Sequence, residues 1–144
     1  MQRVHFIDSY ISAIDFKAKD SNDLNVDQLK IKGDKRIIAT NESEKNIVLK
    51  NKAIVRVKYK NHLYNNFIKS KIFYYNKNEL VCIKIQEILP NQLNKGTLYK
   101  RTIYLQNNKP IADSDISNLT IPSSDLVNLG LQQLKNEYLS LNEG

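Results

Sequence analysis

The stretch Phe67-Ile-Lys-Ser-Lys-Ile-Phe-Tyr-Tyr-Asn-Lys-Asn-Glu-Leu-Val-Cys-Ile-Lys-Ile-Gln86 decides the fold. Its first half, Phe67–Tyr75, is rich in aromatic and β-branched residues, with Lys69 and Lys71 opposed to Ser70, Ile72 and Tyr74. Asn76-Lys-Asn-Glu79 has turn chemistry. Val81, Ile83 and Ile85 then alternate with Cys82, Lys84 and Gln86, the period of a half-buried strand. Working outward, Val55, Val57 and Tyr59 alternate with Arg56, Lys58 and Lys60 upstream. Downstream of Pro90–Gly96, a strand runs from Thr97 to Leu105, and Asn107-Asn108 turns it towards Pro110–Ala112. Strands joined by short connections imply an antiparallel meander. Residues 25–50 stay ambiguous. Arg36–Thr40 and Asn46–Leu49 read as short strands, yet Glu42-Ser-Glu-Lys between them suits a helix equally.

Two helices flank this centre. Val4, Ile7, Ile11, Ile14 and Ala18 recur at helical spacing over residues 4–18, and the backbone-bonding residues of Lys19-Asp-Ser-Asn-Asp-Leu-Asn end the run. Residues 123–141 form the second helix, with Ser123 or Ser124 as cap and Asp125 in the first turn. Its stripe is Val127, Leu131, Leu134, Tyr138 and Leu141, and Gly130 inside it suggests a close approach to another backbone. No internal repeat is evident. The expected fold is α+β: one domain over 1–144, an antiparallel β-meander of about four to six strands, one face covered by the N- and C-terminal helices.

On this reading the sheet has two unlike faces. One shows Arg56, Lys58, Lys60, Lys69, Lys71, Lys84 and Lys100; the other buries Val55, Val57, Ile72, Val81, Ile83, Ile85, Ile103 and Leu105. The charge pattern agrees: residues 30–109 carry a net +13, the segments before and after them −2 and −4, within a chain of +7. A basic middle between acidic ends is a candidate binding surface. Lys outnumbers Arg eighteen to four, which suits a solvated sheet face better than phosphate reading, where Arg dominates.

Catalytic constellations do not emerge. Cys82 sits mid-strand, where a thiol is inert packing, and His5 and His62 lack the spacing of metal ligands. Asp113-Ser-Asp115 opens like a calcium loop but lacks the glycine and the later Glu of that pattern. Glu79 and Glu87 do not recommend themselves as a hydrolytic pair. The glycines at 33, 96, 130 and 144 form no phosphate-cradling loop, and the glycosylation patterns at Asn41-Glu-Ser43 and Asn118-Leu-Thr120 are expected by chance in so Asn-rich a chain. No enzyme, cofactor or metal is expected. One Cys excludes an internal disulfide.

Lys71-Ile-Phe-Tyr-Tyr-Asn-Lys-Asn-Glu-Leu-Val and Tyr99-Lys-Arg-Thr-Ile-Tyr-Leu-Gln-Asn-Asn-Lys-Pro-Ile each combine an aromatic strand, an Asn-rich turn and a returning strand. In this, residues 67–112 resemble small envelope proteins and lipoproteins of unknown function from Bacteroidetes-type bacteria. That resemblance implies a leading helix on the meander, a secreted or periplasmic location and a non-enzymatic role; the lipobox cysteine of such lipoproteins is not present.

The function expected from these features is a non-catalytic binding or interaction domain, possibly of a bacterial envelope, using its basic sheet face on an acidic glycan or protein. The alternative is a cytoplasmic binder of single-stranded nucleic acid, with Tyr59, Phe73, Tyr74, Tyr75, Tyr99 and Tyr104 as stacking candidates. Asp8 and Asp15 fall where a signal peptide needs its apolar core. The expected location is therefore periplasmic or secreted if a signal was removed, and cytoplasmic otherwise. No window approaches the ~20 apolar residues of a membrane span, and sheet edges leave dimerisation open.

Overall fold

The computed structural model describes residues 2–19, 30–32, 35–39, 43–62, 68–88, 97–114 and 121–143. Helix α1 (Gln2–Lys19) leads into strands β1 (Lys30–Lys32), β2 (Lys35–Ala39), β3 (Ser43–Lys50), β4 (Ala53–His62), β5 (Ile68–Asn76), β6 (Glu79–Ile88), β7 (Thr97–Gln106) and β8 (Lys109–Asp113), followed by α2 (Ser123–Glu143). All strand pairs are antiparallel and sequential, so the α+β class and the meander are as expected. Strands β3–β8 make the body of the sheet. The short β1 and β2 extend one edge from the stretch whose reading is ambiguous in sequence, and Glu44 and Lys45 belong to β3 rather than to a helix. Residues 20–25 after the first helix, the connection at 90–96, Asn41, Asp115, 118–120 and the glycines at 33, 96 and 144 lie outside the described residues.

Three hairpins follow one plan. Each closes on two residues with positive φ: Asn51 and Lys52 at 53° and 68°, Lys77 and Asn78 at 51° and 67°, Asn107 and Asn108 at 54° and 61°. Positive φ at both central positions matches the twist of the flanking strands, and Asn tolerates it better than most residues. At the third residue after each turn the ladder slips, leaving Val55, Val81 and Ile111 as extra residues in a bulge. One hairpin geometry thus recurs three times without an internal repeat in the sequence. Equivalent positions differ too much in identity, as in Val48, Tyr74 and Tyr104, to announce themselves in the sequence.

The bulges also redistribute the core. In strict alternation Val55 would share a face with Val57, and Val81 with Ile83. Instead Val55 and Val81 turn over with Ile72 and Cys82 to pack beneath Ile7, Ile11 and Ile14 of α1. Val57, Ile83, Ile85, Ile103 and Leu105 remain on the opposite face, with Ile47 and Phe73, against Leu126, Val127 and Leu134 of α2. The two helices therefore cover opposite faces of the sheet, where a shared face was expected. Polar anchors hold each one. Tyr74 donates to Asp15 of α1 at 3.0 Å, and its neighbour Tyr75 donates through the other face to the Gly130 carbonyl of α2 at 2.6 Å.

Gly130 is the close approach foreseen for it, but to side chains rather than to backbone. A Cβ there would lie 2.8 Å from both Leu80 Cδ2 and Phe73 Cδ1. Both neighbours are fully buried and have nowhere to retreat. Gly130→Ala gains ~1 kcal/mol of helix propensity against an overpacking cost of ~1–3 kcal/mol. A net loss of up to about 2 kcal/mol in urea unfolding is expected, and a raised midpoint would contradict the packing.

Candidate functional site

Cross-strand partners point to the same side of a sheet, so the register assigns each basic residue to a face. On the α1 side, one row across β3–β7 reads Asn46, Lys58, Ile72, Lys84, Thr102. The next reads Glu44, Lys60, Ser70, Gln86, Lys100. Ile72 packs at the margin of the α1 cluster, and the second row lies beyond it. Lys58, Lys60, Lys84 and Lys100 thus form a compact group on the open part of this face. Lys58 is crowded: burial first, then Arg56 and Lys60, push its pKa down, while Glu44 and Asp15 pull the other way. Lys84 stands 5.9 Å from the centroid of the Tyr74 ring.

The other three expected members of the basic face do not belong to this group. Arg56 is on the right side but is buried, donating to Asp15 Oδ1 and Asn46 Oδ1 at 3.1 Å each, so it docks α1 and is not offered to a partner. Lys69 and Lys71 point to the α2 side, because Lys71 pairs with Tyr59 and Ile85 and Lys69 with Asn61 and Glu87. Lys69 also forms an ion pair with Glu87 at 3.5 Å. The sequence misplaces these two because alternation within β5 fixes relative faces only; which face matches Lys58 depends on the register with β4.

The aromatic residues are also divided between the two faces. Tyr74 and Tyr104 lie towards α1, their hydroxyls donating to Asp15 and, at 2.7 Å, to Asp8. Tyr59, Phe73, Tyr75 and Tyr99 lie on the α2 side, packed in or against its cluster. Tyr59 donates to Glu137 at 2.8 Å, and Lys45 donates to the other oxygen of Glu137 at 2.9 Å.

This side holds a cleft of about 440 Å³ whose lining includes Ser43, Glu44, Lys45, Tyr59, Asn61, Phe73, Leu129 and Gln133, and a second of about 280 Å³ beside Lys69, Ile85, Glu87, Tyr99, Arg101 and Ile121. Lys71 lines both. Neither cleft was legible in the sequence, because Leu129, Gln133 and Ile121 reach the sheet only through the placement of α2. The one available signal was the recurrence of Lys45, Lys71 and Arg101 six residues before each tight turn.

Other reactive groups are dispersed. Cys82 is fully buried in the α1 cluster, and burial pushes its thiol up to about 12, far from a thiolate at neutral pH. His5 and His62 are both exposed, one on α1 and one at the end of β4. Glu79 and Glu87 sit at opposite ends of β6, and Glu79 pairs with Arg3 at 3.1 Å. Asp113 is taken by Arg101, which donates to its two oxygens at 3.0 and 2.7 Å. Among the described residues, no three His, Cys, Asp or Glu side chains are grouped to hold a metal ion, and no helix is long and apolar enough to cross a membrane. Comparison with protein families, with curated proteins and with solved structures returns no match for this chain.

The buried tyrosines make a pH prediction. Burial is the main cause that raises Tyr59, Tyr74, Tyr75 and Tyr104 well above the ordinary tyrosine value. Unfolded tyrosine ionises near pH 10, so the unfolded chain releases these protons first and stability falls as pH rises from about 10 upward. Lys58 and Lys71, shifted downward, act in the opposite sense but only below about pH 10.5. Of the chain's eight tyrosines, these four should therefore contribute no tyrosinate absorbance at pH 11 until the protein unfolds. A native 295 nm amplitude equal to that in denaturant would contradict this.

Proposed function

We propose that the protein is a non-catalytic binding domain for an acidic glycan, held by Lys58, Lys60, Lys84 and Lys100 on the open part of the α1 face. The observation that carries this reading is the two-row arrangement. Four cations spread over β4, β6 and β7 are interleaved with the neutral hydrogen-bonding side chains Ser70, Gln86 and Thr102, and Glu44 stands at the margin. Neighbouring strands lie about 4.8 Å apart, so charges two or three strands apart span roughly 10–15 Å, the reach of an extended chain rather than of a single anion. A crowded, poorly solvated Lys58 favours an incoming negative charge. Ser, Gln and Thr side chains suit sugar hydroxyls, and the point charge of Lys suits sulfate or carboxylate groups.

The aromatic distribution weighs against the single-stranded nucleic acid alternative. A base-stacking platform needs exposed rings among the cations. Here the nearest rings on the same face, Tyr74 and Tyr104, have their hydroxyls tied to α1, and the remaining candidates lie on the other side of the sheet. An envelope location, where acidic polysaccharide is encountered, belongs with this reading.

Retention on heparin, and the affinity for a soluble sulfated polysaccharide, test it. Replacing Lys60, Lys84 and Lys100 together by Glu is expected to weaken binding at least about 30-fold at physiological ionic strength, with little change in melting temperature. A short oligothymidylate should bind far more weakly than the glycan. Unchanged glycan binding by the triple variant would overturn the reading, and preferential binding of the oligonucleotide would replace it with the nucleic-acid one.

A further inference from the structure

The three hairpins place equivalent cations in a single row on the α2 face. Lys45, Tyr59, Lys71, Ile85 and Arg101 are successive cross-strand partners from β3 to β7, a cation on every second strand. The two outer cations each hold a carboxylate: Lys45 pairs with Glu137 at 2.9 Å, and Arg101 with Asp113 at 2.7 Å. Lys71, at the same position in the middle hairpin, makes no ion pair among the described residues. The cation next to it, Lys69, has Glu87. Lys71 is half-buried, and among the described residues it is the one that lines both clefts. A partly desolvated ammonium with no ion-pair partner among the described residues, opening into preformed space, is an unfilled anion position.

We propose that this cleft binds a small monocarboxylate, whose anionic group takes at Lys71 the place that Glu137 takes at Lys45 and Asp113 takes at Arg101. One uncommitted cation balances one negative charge, which favours a monocarboxylate over a phosphate. The apolar body of the ligand lies along Tyr59, Phe73 and Leu129, in a volume within the range of small-molecule sites. This site is on the opposite face of the sheet from the proposed glycan surface and does not depend on it.

The test is titration with octanoate and phenylacetate, each against its neutral amide, at about 0.15 M salt. At least one carboxylate should bind saturably at a single site, at least about tenfold more tightly than its amide. Lys71→Met should lower that affinity at least about tenfold with an unchanged melting temperature, and Lys71→Arg should restore most of it. The side-chain resonances of Lys71 in the unaltered protein should move during the titration, a readout that stands even if the Met variant folds poorly. Equal binding of acid and amide, undiminished binding by Lys71→Met, or resonances of Lys71 that do not move would each overturn the proposal. So would failure of both carboxylates to saturate.

Discussion

The bulge three residues after each tight turn is the constraint on which the rest of the structure depends. A strand that alternates without interruption gives one apolar and one polar face, and such a sheet needs cover on a single side. Inserting one residue puts two neighbours on the same side: Val55 with Arg56, and Val81 with Cys82. The hairpin ends thereby become apolar on both sides. Each helix finds its own floor, and the sheet becomes the middle layer between α1 and α2. Tyr74 and Tyr75, consecutive and both almost fully buried, show the consequence most directly, since one hydroxyl anchors α1 and the next anchors α2.

The same geometry sorts the positive charges by task. Arg56 and Arg101 are the buried ones, and each meets a carboxylate through a guanidinium that can satisfy several acceptors at once: Asp15 and Asn46 for Arg56, Asp113 and the Ile121 carbonyl for Arg101. Breaking such a buried pair leaves an uncompensated charge and costs ~3–5 kcal/mol, so these residues belong to folding. The lysines of the open α1-side rows are less buried than these arginines, and the proposed glycan surface is built from them. Lys71 is neither paired like the arginines nor part of the open rows, and its place beside two clefts gives it a separate chemistry.

Much of this fold was legible in the sequence. The period-2 runs in β4 to β7, the apolar stripe Ile7, Ile11, Ile14, and the second helix follow from side-chain spacing alone. The turn residues Lys77-Asn78 and Asn107-Asn108 were legible from their chemistry. The bulges were not, because an extra Val in a run of β-formers leaves no compositional mark. That single omission explains why Val55 and Val81 were assigned to the wrong side and why both helices were assigned to one face, whereas Ile72 was misplaced by the register of β5 on β4. Lys69 and Lys71 were misplaced for a related reason: the pairing of β4 with β5 has a register that alternation within either strand cannot supply. Four of the seven residues of the expected basic face, Lys58, Lys60, Lys84 and Lys100, do fall together. The clefts required the position of α2 as well, and no local pattern encodes that.

The most direct measurement is a backbone amide chemical-shift map of the isotopically labelled protein during titration with a sulfated polysaccharide. Shifts concentrated at Lys58, Lys60, Lys84, Lys100 and their cross-strand partners Ser70, Gln86 and Thr102, with Lys45, Tyr59 and Leu129 unmoved, are the expected result. Shifts centred on α2 and the row through Lys71, or no shifts at saturating glycan, would contradict the assignment of the binding face.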